Sequence, residues 1–161
     1  MPENIIYDNA NSTGHIPDQP EVKTELYDSG ALRHMSPFIH CFSNYHSIPP
    51  HLIVAANKRT FYAIGTGDLR IDIPNGDSTN PIILCDTLHA PDMALTIVSI
   101  GCITSIGNTV TFKNKSCKIK NKSGKIISNI PSNSNGLYKV DHSHSAFAAS
   151  TVEKVNMLTL H

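Results

Sequence analysis

The chain lacks several features that would point to common functional classes. It contains no tryptophan, and only 6% of its 161 residues are aromatic. Its 13 basic and 13 acidic side chains cancel to a net charge of zero, which argues against direct binding of nucleic acid. No apolar run approaches the length of a membrane-spanning helix, so we predict no membrane partner. The four cysteines form no Cys-x-x-Cys pair, and we predict free thiols at Cys41, Cys85, Cys102 and Cys117.

A metal-binding motif is also missing, although nine histidines are a high number. Four of them, His34, His40, His46 and His51, follow one another at intervals of five or six residues. None belongs to a His-Glu-x-x-His pattern or another ligand set of defined spacing. We therefore predict no metal site and no other cofactor.

What the sequence does contain is a series of short apolar runs separated by turn residues. Many short strands at intervals of about ten residues predict an all-β fold, a closed or nearly closed barrel with one short helix. We assign residues 22–140 to this barrel. Residues 1–21 are rich in Asn, Asp, Pro and Ser and are expected to form a disordered tail, and residues 141–161 are expected to form a linker.

Two hairpins are predicted in the first half of the barrel. The first joins residues 51–56 to 60–64, and the second joins 68–73 to 81–88 around Asn75-Gly76, the strongest short hairpin signal in the chain. The six lysines between Lys113 and Lys125 are interpreted as a pair of solvated hairpins. Further strands are expected at Thr109–Phe112, Cys117–Lys120, Ile126–Ile130 and Leu137–Val140.

The segment most informative about chemistry is Glu25-Leu26-Tyr27-Asp28-Ser29-Gly30-Ala31. An apolar approach followed by Asp-Ser-Gly-Ala is typical of a strand that ends in a tight turn and presents a carboxylate. Aspartic proteases display their catalytic Asp in this way, but the same residues also form common surface turns. Aspartic protease chemistry needs two carboxylates that share a proton. Because the chain has one such loop, an enzyme would have to be a homodimer.

Further segments follow this loop in a recognisable order. They are His34-Met35-Ser36, Gly65-Thr66-Gly67, Leu88-His89-Ala90-Pro91-Asp92-Met93, Leu95-Thr96-Ile97-Val98-Ser99-Ile100 and Asn135-Gly136-Leu137-Tyr138. Together with the Asp28 loop, their order and spacing from Leu26 to Val140 resemble the protease region of copia-type (Ty1/copia) retrotransposon Gag-Pol polyproteins. The resemblance implies a retropepsin-like barrel that acts as a homodimer in a cytoplasmic retroelement particle and cuts peptide segments of its own polyprotein.

The resemblance also implies roles for individual residues. Asp28 would be the catalytic residue, with Ser29, Gly30 and Ala31 forming the active-site loop. Of the two hairpins, the one with Asn57, Lys58 and Arg59 at its tip is the preferred candidate for a flap over the substrate. The run Leu95–Ile103 would be a buried strand followed by a short helix.

At the end of the chain, Val155–His161 resembles the approach to an integrase zinc module. His161 would be one ligand of that module, and a single histidine cannot hold a zinc ion that requires four ligands. The chain is therefore read as a fragment without the integrase.

Two departures from the family pattern open an alternative. Leu32 stands where related elements usually carry a small polar residue, and it either leaves the loop short of a hydrogen bond or packs into the core. The apolar-apolar-Gly element that normally supports the Asp loop is represented only by Ile100-Gly101, preceded by Ser99. The chain could thus be an inactive β-barrel remnant used for self-association or peptide binding. An unrelated β-sandwich module with an incidental Asp-Ser-Gly turn is the third hypothesis.

Overall fold

The computed structural model describes residues 23–142 and the two-residue strand at 159–160. Within these residues the regular structure is almost entirely β-strand, with one α-helix of six residues and one 3₁₀ turn at Ile39–Cys41. No helix in this part of the chain is long and apolar enough to cross a bilayer. The elements are β1 (Lys23–Asp28), β2 (Met35–Ser36), β3 (Phe42–Val54), β4 (Thr60–Asn75), β5 (Ser78–His89), β6 (Thr96–Ser99), α1 (Ile100–Ser105), β7 (Thr109–Lys113), β8 (Ser116–Lys120), β9 (Ile126–Pro131), β10 (Lys139–His142) and β11 (Thr159–Leu160).

All of these strands belong to one sheet, which runs in the order β10-β1-β6-β2-β5-β4-β9-β8-β7. β3 pairs with β4, and β11 pairs in parallel with β5. The sheet curls so that its two ends meet, since the Phe112 ring on β7 packs 4.9 Å from the ring of Tyr138, just before β10. The expected all-β, nearly closed barrel with one short helix is confirmed.

The core lies inside this curl and follows from the alternation of side chains along the strands. In β4, Leu69, Ile71 and Ile73 are buried, while the residues between them are more exposed. A strand with one face in the core and one toward solvent shows this period of two. The buried apolar cluster comprises Tyr27, Leu69, Ile71, Ile73, Ile82, Leu84, Val98, Ile100, Ile103, Cys117, Ile119, Ile127 and Ile130.

The hairpins expected from the sequence are present. β3 and β4 join through residues 55–59, and β4 and β5 join through a two-residue loop. Asn75 pairs with Ser78, so that the loop is Gly76-Asp77 and the turn is centred one residue later than Asn75-Gly76. Gly76 has φ +66°, and a positive φ at the first loop residue is the pattern of a type II′ hairpin.

The run Leu95–Ile103 also divides as expected, into strand β6 and helix α1. At the end of the barrel, β10 continues to His142 and pairs there with Lys23 of β1. The expected tail at 1–21 and residues 143–158 of the expected linker lie outside the described residues. The resemblance of Val155–His161 to the approach to an integrase zinc module falls there too, apart from the strand 159–160.

A cluster of rings explains why the segment Gly65-Thr66-Gly67 needs glycine. The rings of Phe42, Tyr45 and His89 lie edge to face with centroids 5.5–5.7 Å apart, and the Tyr45 hydroxyl is 2.9 Å from Nδ1 of His89. The Tyr45 side chain lies directly over Gly65 of β4, where an added Cβ would collide with the Tyr45 hydroxyl oxygen, Cζ and Cε2. Glycine at position 65 thus makes room for the ring and for its bond to His89.

We therefore expect Gly65→Ala to destabilise the protein by about 1–3 kcal/mol, the usual cost of overpacking. The new methyl group would push the Tyr45 ring aside and break its hydrogen bond to His89. The measurement is the free energy of unfolding from urea titrations. Gly101→Ala is the matched control, since its added Cβ would come no closer than 3.7 Å to Ser99 Oγ. In a Tyr45→Ala background the cost of Gly65→Ala should largely disappear, and an unchanged cost there would contradict the ring-contact explanation.

Candidate functional site

Asp28 is the last residue of β1, and its loop leaves the sheet toward solvent. The backbone N–H of Gly30 donates to Asp28 Oδ1 at 2.8 Å, which closes the turn over the carboxylate. Asp28 and Ala31 are half-buried, whereas Ser29 and Gly30 are exposed. The turn keeps one carboxylate oxygen in a fixed position beside an open loop. Both an ordinary Asx turn and a catalytic Asp loop have this local geometry.

The loop is supported from below by the junction of β6 and α1. β6 runs parallel to β1 and brings Ser99 opposite Asp28. The Ser99 hydroxyl donates to the carbonyl of Ala31 at 2.6 Å and accepts the N–H of Cys102 at 3.2 Å, so that it also caps α1. Ser99 departs from the apolar-apolar-Gly pattern expected to support the loop, yet its hydroxyl joins the loop to the helix.

His34 reaches the same junction from the other side of the loop. Its Nδ1 accepts the N–H of Ser99 at 3.0 Å, and its carbonyl accepts the N–H of Leu88 at 2.9 Å. Only 1% of the residue is exposed. This burial, together with the neighbouring charge of Arg33, lowers the pKa of His34 to about 4. The imidazole is therefore neutral at pH 7 with its proton on Nε2, an atom that has no hydrogen-bond partner among the described residues.

Leu32 projects from the loop into solvent. Its side chain is 90% exposed, so the hypothesis that it packs into the core is wrong. Only its backbone is held, through a contact of 3.3 Å from Cys102 Sγ to the Leu32 carbonyl. An apolar side chain with this exposure, four residues after Asp28, contributes little to the stability of the monomer.

The residues predicted to form the flap lie at the tip of the β3–β4 hairpin. Lys58 has φ +65° and its N–H donates to Ala55, while the N–H of Arg59 donates to Oδ1 of Asn57. The Arg59 guanidinium lies 5.8 Å from the centre of the Phe61 ring. In the order of the sheet, β4 is separated from β1 by β6, β2 and β5. None of the described contacts within one protomer brings this tip to Asp28.

A hydrogen-bonded pair of titratable side chains on the inner side of β1 was not predicted from the sequence. Glu25 is 4% exposed, and its Oε2 lies 2.8 Å from Nε2 of His142 on β10. Burial raises the pKa of Glu25, and the hydrogen bond to Glu25 raises the pKa of His142. Next along the strand, the hydroxyl of Tyr27 is buried without a partner among the described residues, and burial raises its pKa well above 10.0. Only the register of β1 against β10 brings Glu25 and His142 together, since the two residues are 117 positions apart in the sequence.

The remaining reactive side chains form no further centre within the described residues. No group of three or more His, Cys, Asp or Glu in residues 23–142 is arranged to hold a metal ion. The four cysteines are free thiols, and burial raises the pKa of both Cys85 and Cys117 to about 11. These two thiols are therefore poor nucleophiles at neutral pH. The Asp28 loop is left as the candidate site.

Comparison with known proteins gives one finding about the family. The model of the family described as "Pol polyprotein, beta-barrel domain" matches residues 26–108, which is 83 of the 161 residues. The matched range begins just before Asp28 and includes both hairpins, β6 and α1. The search of curated proteins found no match.

We expect the stability of the protein to fall as the pH is lowered from 6.5 toward 4. In that range the unfolded chain takes up a proton at position 34, whereas folded His34 remains neutral down to about 4. Below about 4 this contribution levels off, and in total it amounts to about 3 kcal/mol. His34→Asn keeps a hydrogen-bond acceptor near Nδ1 but does not titrate. Urea unfolding at several pH values should show a smaller decline for the variant, and parallel pH profiles would contradict this explanation.

Proposed function

Since the chain belongs to the Pol polyprotein β-barrel domain family and is thus part of a retroelement Pol polyprotein, we propose that it is the aspartic endopeptidase of that polyprotein. The element is of copia type, and the enzyme works as a homodimer inside a cytoplasmic retroelement particle. Its substrates are peptide segments of its own polyprotein. The observation that carries the proposal is the Asp28 loop, which is open to solvent and braced by Ser99.

The chemistry requires the Asp28 side chains of two protomers to meet across a two-fold axis. Two carboxylates a few ångströms apart do not both ionise readily, so that one retains a proton. The ionised Asp28 acts as general base toward a bound water molecule. The protonated Asp28 of the other protomer polarises the scissile carbonyl and assists departure of the amine. No metal or organic cofactor takes part in these steps.

The construction of the loop suits this role. One oxygen of Asp28 is oriented by the Gly30 amide, while the neighbouring residues Ser29 and Gly30 are exposed and free to face a second copy. Ser29 would brace the two loops across the axis, and Gly30 would allow the substrate backbone to approach. Ser99 and His34 hold the loop from below through hydrogen bonds that are buried or partly buried, and this fixes the carboxylate before substrate binds.

The β3–β4 hairpin supports the assignment of a flap. One of its faces carries Leu52, Val54 and Tyr62, with 47%, 64% and 52% of their surface exposed. Leu52 lies directly opposite Tyr62, so these side chains form a continuous apolar strip near the tip of Asn57, Lys58 and Arg59. A strip of this kind suits contact with a peptide or with the second protomer. The hairpin would then close over a substrate bound between the two Asp28 loops.

The second candidate function is an inactive barrel that only self-associates or binds peptides. Leu32 favours it, since an exposed apolar side chain stands where related elements place a small polar residue. The hypothesis of an unrelated β-sandwich module is wrong, because the family match includes the Asp28 loop. The two remaining functions differ in one observable property, the cleavage of peptides.

We expect Asp28→Asn to abolish peptide cleavage and to leave the fold intact. The amide has nearly the shape of the carboxylate but cannot act as the base, and it removes the repulsion between two charges at the axis. Cleavage of polyprotein-derived peptides is followed by mass spectrometry, and folding is followed by thermal melting. Asp77→Asn, in the exposed β4–β5 turn, is the matched control.

Three outcomes would overturn the assignment. Cleavage retained in Asp28→Asn would place the activity elsewhere. A wild-type chain that cleaves peptides but sediments as a monomer at every concentration would contradict the shared site, because a single loop supplies a single carboxylate. A wild-type chain that dimerises without cleaving peptides would favour the inactive barrel.

We expect Leu32→Ser to increase cleavage without a loss of stability. If the loop or the substrate lacks a hydrogen bond at this position, the missing interaction of about 1–3 kcal/mol corresponds to roughly tenfold to a hundredfold in rate. Because Leu32 is 90% exposed, truncation should barely change the melting temperature. Leu137→Ser, also at an exposed leucine, is the control for a general loss of surface apolarity. Unchanged cleavage with an unchanged melting temperature would show that Leu32 does not limit the enzyme.

A further inference from the structure

The segment that forms α1 and β7 to β9 carries charge of only one sign. Between Asp92 and Asp141 the sequence contains no acidic residue, but it contains seven lysines. Six of them belong to the three-stranded end of the sheet made by β7, β8 and β9 and its turns. The net charge of zero for the whole chain conceals this separation, because the acidic residues lie in other parts of the sequence. These six lysines are Lys113, Lys115, Lys118, Lys120, Lys122 and Lys125.

The pairing of β7 with β8 brings Lys113, Lys118 and Lys120 onto one surface. Side chains alternate along β8: Cys117 and Ile119 point into the core, and Lys118 and Lys120 point outward. Lys118 lies opposite Thr111 of β7, and Lys120 lies opposite Thr109. We define the lysine face as the outward side chains of these strands and the turn lysines beside them: Thr109, Thr111, Lys113, Lys115, Ser116, Lys118, Lys120, Lys122 and Lys125.

No counter-charge neutralises the lysine face within the described protomer. The ion pairs Arg70–Asp72 and Lys139–Asp141 and the contact of His142 with Glu25 all lie outside it. Like charges held on a rigid sheet raise the local positive potential, because their side chains find no carboxylate nearby. Residues two apart on a strand are about 7 Å apart, so Lys118 and Lys120 form a regular row along β8.

We propose that the lysine face binds single-stranded nucleic acid through its phosphates. Lysine side chains donate to phosphate oxygens as point charges, and the hydroxyls of Thr109 and Thr111 beside them offer further donors. The aromatic ring of this region, Phe112, packs against Tyr138 on the other side of the strand and leaves no stacking platform on the face. Binding is therefore independent of base sequence and is driven by the release of counterions.

An acidic peptide is the other polyanion to consider, and this chain contains one. Residues 1–22 carry Glu3, Asp8, Asp18 and Glu21 and no lysine or arginine. This segment carries a negative charge at about one in five residues, whereas a nucleic acid strand carries one negative charge at every nucleotide. The regular row of lysines on β8 matches the denser polyanion. The proposal does not depend on Asp28, so the protease assignment and this surface stand or fall separately.

The test is fluorescence anisotropy with labelled oligo(U) and oligo(dT) of equal length, titrated with the full chain from about 50 to about 200 mM salt. If about four lysines contact phosphates, the logarithm of the binding constant should fall against the logarithm of salt concentration with a slope of about −3. Lys118→Gln with Lys120→Gln should reduce the steepness of this slope by about 1.4 and weaken binding about tenfold at low salt. Lys58→Gln with Arg59→Gln removes two exposed cations from the β3–β4 tip and should change binding less than about twofold.

Several results would overturn the proposal. The first is the absence of oligonucleotide binding at the lowest salt concentration, and the second is binding that does not depend on salt. The third is an equal loss of affinity in the two double variants. A synthetic peptide of residues 1–22 that binds the lysine face while the oligonucleotides do not would assign the surface to an acidic peptide instead. Thermal melting of both double variants must match that of the wild-type chain, which these exposed positions allow.

Discussion

The parallel pairing of β1 with β6 is the constraint on which the candidate site depends. It brings Ser99 opposite Asp28, and the Ser99 hydroxyl then bonds the loop after β1 and caps the helix after β6. His34 accepts the Ser99 amide and ties the same point to β5 through Leu88. Each of these bonds is at least partly buried, where an unpaired polar group would be costly. A carboxylate is thereby held at a fixed place on a loop that is itself exposed.

The same curled sheet separates three kinds of surface. The Asp28 loop lies at the end of one strand, and the β3–β4 hairpin extends beyond the core with an apolar strip. The lysine face lies at the far end of the sheet order. A barrel built this way has room for contacts with a second copy, with a peptide and with a polyanion, because the surfaces are formed by different strands. The buried cluster around Leu69, Leu84 and Ile119 stabilises all three without contributing to their chemistry.

Much of the fold could be predicted from the sequence because its signals are local. Strand periodicity and turn residues located both hairpins, whereas the division of Leu95–Ile103 into β6 and α1 followed from the family resemblance. The Asp28 turn was likewise predicted from a few adjacent residues, and its hydrogen bond to Gly30 is local. The errors concern position in space rather than element type. Leu32 is apolar, yet it lies on the outside of a turn where no part of the core is within its reach.

By itself the sequence determined the strands, the turns, the order of the hairpins and the carboxylate at the end of β1, because each depends on residues close together in the chain. Only the tertiary structure decided which distant residues meet. The pair Glu25 and His142 requires the register of β1 against β10, and the ring of Tyr45 over Gly65 requires the bulges of β3. Lys118 and Lys120 lie on the same face of the sheet as Thr111 and Thr109 because β8 pairs with β7. These contacts join positions far apart in the sequence, and packing of the whole sheet sets them.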